Sequence, residues 1–122
     1  MTEIYNSKRY DLEQRTFQFA KDVALFIKQL PRNISNLEYG KQVVDASGSV
    51  GANYIEANEA LSKKDFIMRI KICRKEAKET RYWLKLISCN EELMKEQANL
   101  IQESTELMKI FGAIIEKTTS KS

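Results

Sequence analysis

The sequence contains no histidine, only two cysteines, one proline and four glycines in 122 residues. Without histidine, the chain lacks the base of Ser-His and Cys-His nucleophile systems, the imidazole ligands of most zinc sites and the Glu-x-x-His motif of di-iron bundles. Cys73 and Cys89 would lie about 24 Å apart along one helix, so they can share neither a disulfide nor a metal ion. We therefore expect a non-enzymatic protein with no cofactor and no metal site.

Long apolar runs are also missing. No stretch approaches the roughly 20 apolar residues that span a bilayer, and the opening residues, MTEIYNSKRYDLEQ, contain no signal-peptide core. Hydrophobic residues make up 43% and charged residues 30% of the chain, a balance typical of a soluble helical domain. We expect a reduced, cytoplasmic protein without membrane contact, folded as a single domain over residues 1–122.

Apolar residues at three-four spacing predict four helices, and no strand pattern is present. The predicted N-caps are Asp11, Ser35 with Glu38, Ser62 with Asp65, and Asn90. The first helix should stop before Pro31 and the second near Leu61. Residues 1–10 are expected to form a loose arm and residues 118–122 a frayed tail. Because the connections are short, the chain is predicted to be an all-α, antiparallel up-down-up-down four-helix bundle.

Each predicted helix has one seam that should enter the core. In the first it comprises Leu12, Thr16, Phe19, Val23, Phe26 and Leu30. In the second it comprises Val43, Ser47, Val50, Tyr54, Ala57 and Leu61, and in the fourth Leu93, Leu100, Leu107, Phe111 and Ile114. The second helix also contains Gly48 and Gly51, each costing about 1 kcal/mol relative to alanine. Close approach of another backbone would explain them, and a kink near Gly48 is the alternative.

The third helix, from Lys63 towards Cys89, carries three faces when wound at about 100° per residue. The core seam comprises Phe66, Ile70, Cys73, Ala77, Thr80, Leu84 and Ile87. The basic face comprises Lys71, Arg74, Lys75, Lys78, Arg81 and Lys85. The apolar stripe comprises Met68, Ile72, Trp83 and Leu86. Nine basic and three acidic residues between positions 63 and 89 give this segment a net charge of +6, against +3 for the whole chain.

The basic face needs a neutralising partner, because like charges at i,i+4 weaken a helix by a few tenths of a kcal/mol per pair. Acidic faces of neighbouring helices or subunits are one such partner. A phosphate backbone is the other, with Tyr82 nearby as a stacking surface. In that case all six basic residues contact phosphate, and RNA or another nucleic acid is bound by backbone or shape rather than by base sequence.

The apolar stripe indicates a second burial partner for the third helix. Either this helix is more enclosed than a bundle helix usually is, or the stripe packs on another subunit, and we favour a homo-oligomer. A protein-binding scaffold, in which the basic face docks an acidic protein, is the competing class of function.

Two carboxylate pairs leave a magnesium-dependent nucleotide hydrolase as a further alternative. They are Glu56 with Glu59 and Glu76 with Glu79, each one helical turn apart. Their wheel positions point away from the core seams, so the two pairs should not converge. Lys75 lies one turn before Glu79, an ordinary surface pairing, and we expect these carboxylates to be solvated.

The segments SGSVGANYIEANEA and SKKDFIMRIKICRKEAKETRYWLKLI resemble the family of 23S rRNA intervening-sequence proteins. The resemblance extends from YDLEQRTFQFAKDVALFIKQLP to the closing IFGAII, nearly the whole chain; one departure is Glu56-Ala57, where many members have Glu-Gly. The resemblance implies a four-helix bundle that assembles as a homopentamer and is encoded within bacterial large-subunit rRNA genes. The family is also similar to accessory proteins of diversity-generating retroelements, which engage nucleic acid and a reverse transcriptase. The resemblance supplies no catalytic residues.

Overall fold

The computed structural model describes the backbone of residues 2–120 and the side chains of residues 12–120. It contains four helices: α1 (Thr2–Lys28), α2 (Ile34–Asn58), α3 (Lys63–Leu86) and α4 (Glu91–Thr119). Each helix packs against the next one in the chain, and α1 closes the bundle against α4. Within the described residues no strand is present, and the diagonal pairs α1/α3 and α2/α4 make no close backbone contact. This arrangement confirms the predicted antiparallel bundle.

The predicted seams form the core with three exceptions. Phe66 is half-buried, Leu61 is fully exposed, and Ile115 is buried where Ile114 is only half-buried. Leu61 was wrongly predicted as a core residue because α2 ends at Asn58, leaving position 61 in the connection to α3. The remaining seam residues lie inside the bundle, with Val23, Phe26 and Phe111 completely inaccessible.

The helix starts differ in part from the predicted caps. Ser62 accepts a hydrogen bond from the Asp65 amide at 3.1 Å, which confirms the cap of α3. In α2 the capping residue is Asn33, whose side chain accepts from the Asn36 amide at 2.8 Å, so the predicted Ser35 cap is wrong. Asn90 precedes α4 as predicted, although its side chain makes no capping hydrogen bond.

Both predicted loose ends are more helical than expected. The structure continues α1 back to Thr2, so Asp11 lies within the helix and not at its start; that residues 1–10 form a loose arm stays a prediction. This segment contains neither glycine nor proline to interrupt a helix. At the other end, α4 includes Thr118 and Thr119, whose hydroxyls donate to the carbonyls of Ile114 and Ile115. Residues 121 and 122 of the predicted tail lie outside the described part.

Small polar side chains in the core are satisfied within their own helices. The hydroxyls of Thr16, Ser47, Thr80 and Ser104 each donate to a backbone carbonyl three or four residues earlier. Buried hydroxyls bonded in this way have a partner without help from a ligand. The core therefore offers no polar site at these four positions.

The two central glycines of α2 have different surroundings. The helix is uninterrupted from Ile34 to Asn58, so the kink near Gly48 is not observed. A Cβ at position 51 would lie 3.1 Å from the Thr16 Oγ1 of α1, whereas a Cβ at position 48 would meet nothing within 4 Å. Close helix approach thus explains Gly51; nothing in the structure explains Gly48.

The same substitution at the two glycines should have opposite effects. Gly48→Gln is expected to raise the free energy of unfolding by about 0.5–1 kcal/mol, because glutamine is the better helix former and space is open. Gly51→Gln should lower it by about 1–3 kcal/mol, because the new side chain pushes α1 away from α2. Urea unfolding at one protein concentration measures both, and equal shifts of the two midpoints would contradict the close approach.

Candidate nucleic-acid interface

The six basic residues lie along one side of α3. Five of them are exposed, namely Lys71, Arg74, Lys75, Lys78 and Lys85, while Arg81 is half-buried. From Lys71 to Lys85 the helix rises about 21 Å at 1.5 Å per residue. The structure therefore presents a continuous basic strip, as the helical spacing predicted.

The flank of this strip lies against neutral residues of α4. Arg81 donates through Nη1 to the Thr105 hydroxyl at 3.3 Å. The Nη1 of Arg74 lies over Gly112, 3.9 Å from where a Cβ would stand. Glu103 of α4 pairs instead with Arg15 of α1, at 2.6 Å and 2.9 Å. Arg81 is thus held against α4, and among the described residues neither arginine has a carboxylate within 4 Å.

The strip is poorly neutralised within the chain. Among the described residues, only Lys75 of the six has a carboxylate within 4 Å, Glu79 at 3.8 Å. Both of these side chains are well exposed, so the ion pair contributes at most about 1 kcal/mol. Glu79 belongs to α3 itself, so among the described residues no carboxylate of a neighbouring helix lies within 4 Å of the six cations. Neutralisation by another subunit stays a prediction.

The predicted apolar stripe is partly enclosed by the chain itself. Trp83 is half-buried and packs on Tyr39 of α2, with ring centroids 5.9 Å apart, and on Tyr82 at 5.1 Å. Ile72 is half-buried too, whereas Met68 and Leu86 keep 49% and 40% of their surface exposed. Each end of the stripe therefore remains available for a partner, while Trp83 between them is already packed.

Five further large apolar side chains, which the sequence pattern did not single out, are exposed on α1 and α2. We call this set the α1–α2 face, and its members are Phe17, Leu25, Leu37, Val44 and Ile55. All five lie outside the seams of their helices, and this was the signal in the sequence that could have revealed them. Next to Leu37 and Val44 is an open groove of about 810 Å³ between the end of α1 and the start of α2.

The carboxylate pairs do not build a metal site. Glu56 of α2 and Glu59, which follows its last residue, are exposed, whereas Glu76 of α3 is half-buried. Burial raises the pKa of Glu76, the neighbouring Glu79 raises it further, and Lys75 opposes the shift. Among residues 12–120, no three His, Cys, Asp or Glu side chains are grouped so that they could hold a metal ion.

The two cysteines are free and have structural surroundings. Cys73 is buried, and desolvation raises the pKa of its thiol to about 12, so it is protonated and packs as an apolar group. Cys89 donates through Sγ to the Gln97 Oε1 at 3.4 Å. The same glutamine donates to the carbonyls of Leu84 and Ile87, both at 2.8 Å, which closes the end of α3.

The fold and this surface define a class of protein: a small antiparallel four-helix bundle with one basic, largely unpaired outer face. No helix in the described part has the length and apolarity needed to cross a membrane. Residues 8–113 match the family described as 23S rRNA-intervening sequence protein, and the chain belongs to that family. This confirms the resemblance found in the sequence.

The chain is also similar to a solved structure. This is the 1.70 Å crystal structure of a protein of unknown function from the S23 ribosomal protein family of Bacteroides thetaiotaomicron. The two share 30% sequence identity with a TM-score of 0.69, over 84% of this chain and 96% of that one. Among curated proteins, none matches the sequence.

Proposed function

We propose that this protein binds the phosphate backbone of RNA through the basic face of α3. The observation that carries the proposal is the run of six cations over about 21 Å of helix, of which only Lys75 has a carboxylate partner among the described residues. Such a strip gains free energy by releasing counterions from a polyanion. The family description refers to 23S rRNA, which makes RNA the polyanion of first choice.

The arginines and lysines have different parts in this binding. Arg81 is held by Thr105, so its guanidinium group loses little freedom when it binds phosphate, whereas Arg74 is exposed beside Gly112. The exposed lysines act as mobile point charges along the outer edge. Since none of these contacts requires a particular base, affinity should depend strongly on salt and weakly on sequence.

We further propose that the protein self-associates. The α1–α2 face exposes five large apolar side chains, and the α3 stripe exposes Met68 and Leu86. Large exposed apolar patches commonly mark surfaces that bind another protein chain. We favour the α1–α2 face as the interface, because it leaves the basic strip open to RNA. The resemblance described above implies a pentamer.

Light scattering with in-line absorbance at 260 and 280 nm tests both proposals on the purified protein. The expected result is a mass several times the 14.2 kDa of one chain, with absorbance at 260 nm that a high-salt wash removes. A mass of one chain would overturn the self-association. A multimer that carries no nucleic acid, and to which RNA does not bind at low salt, would overturn RNA binding and favour a protein-binding scaffold.

Two double variants separate the candidate interfaces. Phe17→Glu with Ile55→Glu places charges on the α1–α2 face and is expected to reduce the particle to a single chain, because unpaired charges are costly in an apolar interface. Met68→Glu with Leu86→Glu makes the same change on the α3 stripe and should leave the mass unaltered. The opposite pattern in light scattering would assign the interface to the stripe predicted from sequence.

A further inference from the structure

We infer that the nucleic acid bound by α3 is single-stranded and that Tyr82 stacks on one of its unpaired bases. The inference rests on the proposed RNA binding and specifies the class of ligand. Tyr82 is 58% exposed and lies beside the basic strip, between Lys78 and Lys85 along the helix. An exposed aromatic ring next to phosphate-binding cations is the arrangement by which single-stranded nucleic acids are held without sequence preference.

The ring of Tyr82 is supported from behind. It meets Trp83 edge to face, with centroids 5.1 Å apart and planes at 76°. Trp83 in turn packs on Tyr39 at 5.9 Å and against the hydrophobic core. A tyrosine fixed in this way has little rotamer freedom to lose when a base stacks on it, which favours binding.

A recess next to Tyr82 provides space for a base. It has a volume of about 440 Å³ and is lined by Lys75, Lys78, Glu79, Tyr82 and Trp83, within the range of about 300–1,000 Å³ typical of small-ligand sites. Its walls are aromatic rings and the aliphatic stems of the lysines, which suit a flat heterocycle. Lys75 and Lys78 belong to the basic strip, so a base in the recess has its own phosphates beside these ammonium groups.

The negative charge of Glu79 favours a base over a phosphate in the recess. Glu79 contributes to the lining of the recess, and its carboxylate pairs with Lys75 at the rim, 3.8 Å away. A phosphate that entered the recess would come close to this carboxylate and lie on an apolar lining, whereas a base suits that lining and its amino groups are not repelled. The backbone therefore follows Lys71, Arg74, Lys78 and Lys85, and the base turns inward. A duplex cannot use the recess, because its bases are already paired and stacked.

Fluorescence polarisation with three labelled probes tests the inference: a 12-nucleotide single-stranded RNA, the DNA of the same sequence and the RNA duplex. Tyr82→Ala is expected to weaken binding of both single strands by about 5-fold or more, since stacking contributes about 1–3 kcal/mol per base. Binding of the duplex, and the salt dependence for all three probes, should not change. Tyr82→Phe keeps the ring and should bind like the unmodified protein.

Trp83 is the only tryptophan of the chain and supplies a second readout. Its fluorescence should be quenched by the single strands and not by the duplex. If the unmodified protein binds all three probes but Tyr82→Ala weakens none of them, the stacking is overturned while RNA binding stands. If the unmodified protein binds no probe at low salt, both proposals fail. Loss of binding to the single-stranded RNA alone would overturn stacking as the cause and indicate a contact to the 2′-hydroxyl.

Discussion

A variant in which Lys71, Arg74, Lys78 and Lys85 are all replaced by glutamine should bind single-stranded RNA several hundred-fold more weakly at 0.1 M salt. Each phosphate contact to a single strand contributes about 0.7 to the slope of log K against log salt, so four lost contacts lower the slope by about 2.8. Between 1 M and 0.1 M salt this difference grows to roughly 600-fold. A salt titration by fluorescence polarisation measures both quantities.

The matched control removes the same number of positive charges elsewhere. Lys28, Lys41, Lys95 and Lys109 are exposed on α1, α2 and α4, and their replacement by glutamine leaves the same net charge as the α3 variant. The control should keep the slope and most of the affinity, because long-range attraction between exposed charges is screened at this salt concentration. Equal losses in the two variants would mean that net charge, and not the α3 strip, attracts RNA.

Unfolding of α3 is not expected to explain the loss of binding. All four positions are exposed, and each removed charge relieves repulsion from a neighbouring cation one turn away. The α3 variant should therefore unfold at the same or a slightly higher urea concentration than the unmodified protein. A clearly lower midpoint would make its binding data uninterpretable, and the doubles Lys71→Gln/Lys78→Gln and Arg74→Gln/Lys85→Gln would replace it.

Phe111→Ala should cause the largest loss of stability, about 3–5 kcal/mol. Phe111 is completely buried, and its ring meets Tyr54 of α2 across the bundle, with centroids 6.2 Å apart. It therefore joins two helices whose backbones are not in direct contact. Since the free energy of unfolding of such a domain is only about 5–15 kcal/mol, this substitution should remove a large part of it.

Urea unfolding at a fixed protein concentration measures this effect. Phe111→Leu is the control, because it retains most of the buried volume and should lose distinctly less stability than the alanine variant. Ile110→Ala, at a half-buried neighbouring position, should also lose less. A loss below about 1 kcal/mol for Phe111→Ala would contradict its place at the centre of the core.

The core was predictable because burial on a helix follows periodicity. Val43, Val50, Cys73 and Leu84 are fully buried where the three-four spacing places them. The exceptions are at helix ends: Leu61 is exposed because α2 stops three residues earlier. Ends depend on single capping bonds, and the sequence offers several candidates close together, such as Asn33 and Ser35 at the start of α2.

The basic strip was predictable for the same reason, since its members share one side of a single helix. Its lack of partners was not, because the sequence does not show which helix each carboxylate faces; Glu103 of α4, for example, pairs with Arg15 of α1. Likewise, the packing of Trp83 on Tyr39 joins side chains of two helices, which only the finished bundle shows. From the sequence alone, Trp83 was predicted only as a member of the apolar stripe.

By itself, then, the sequence determined the four helices, their core seams, the family and the charge of α3, because each is a property of one helix or of the linear chain. The tertiary structure alone decided that, among the described residues, no carboxylate of another helix pairs with the basic face of α3, why Gly51 is a glycine, and that Trp83 behind Tyr82 packs on Tyr39 of α2. These depend on distances between helices, and such distances are set by how side chains interlock when the helices pack.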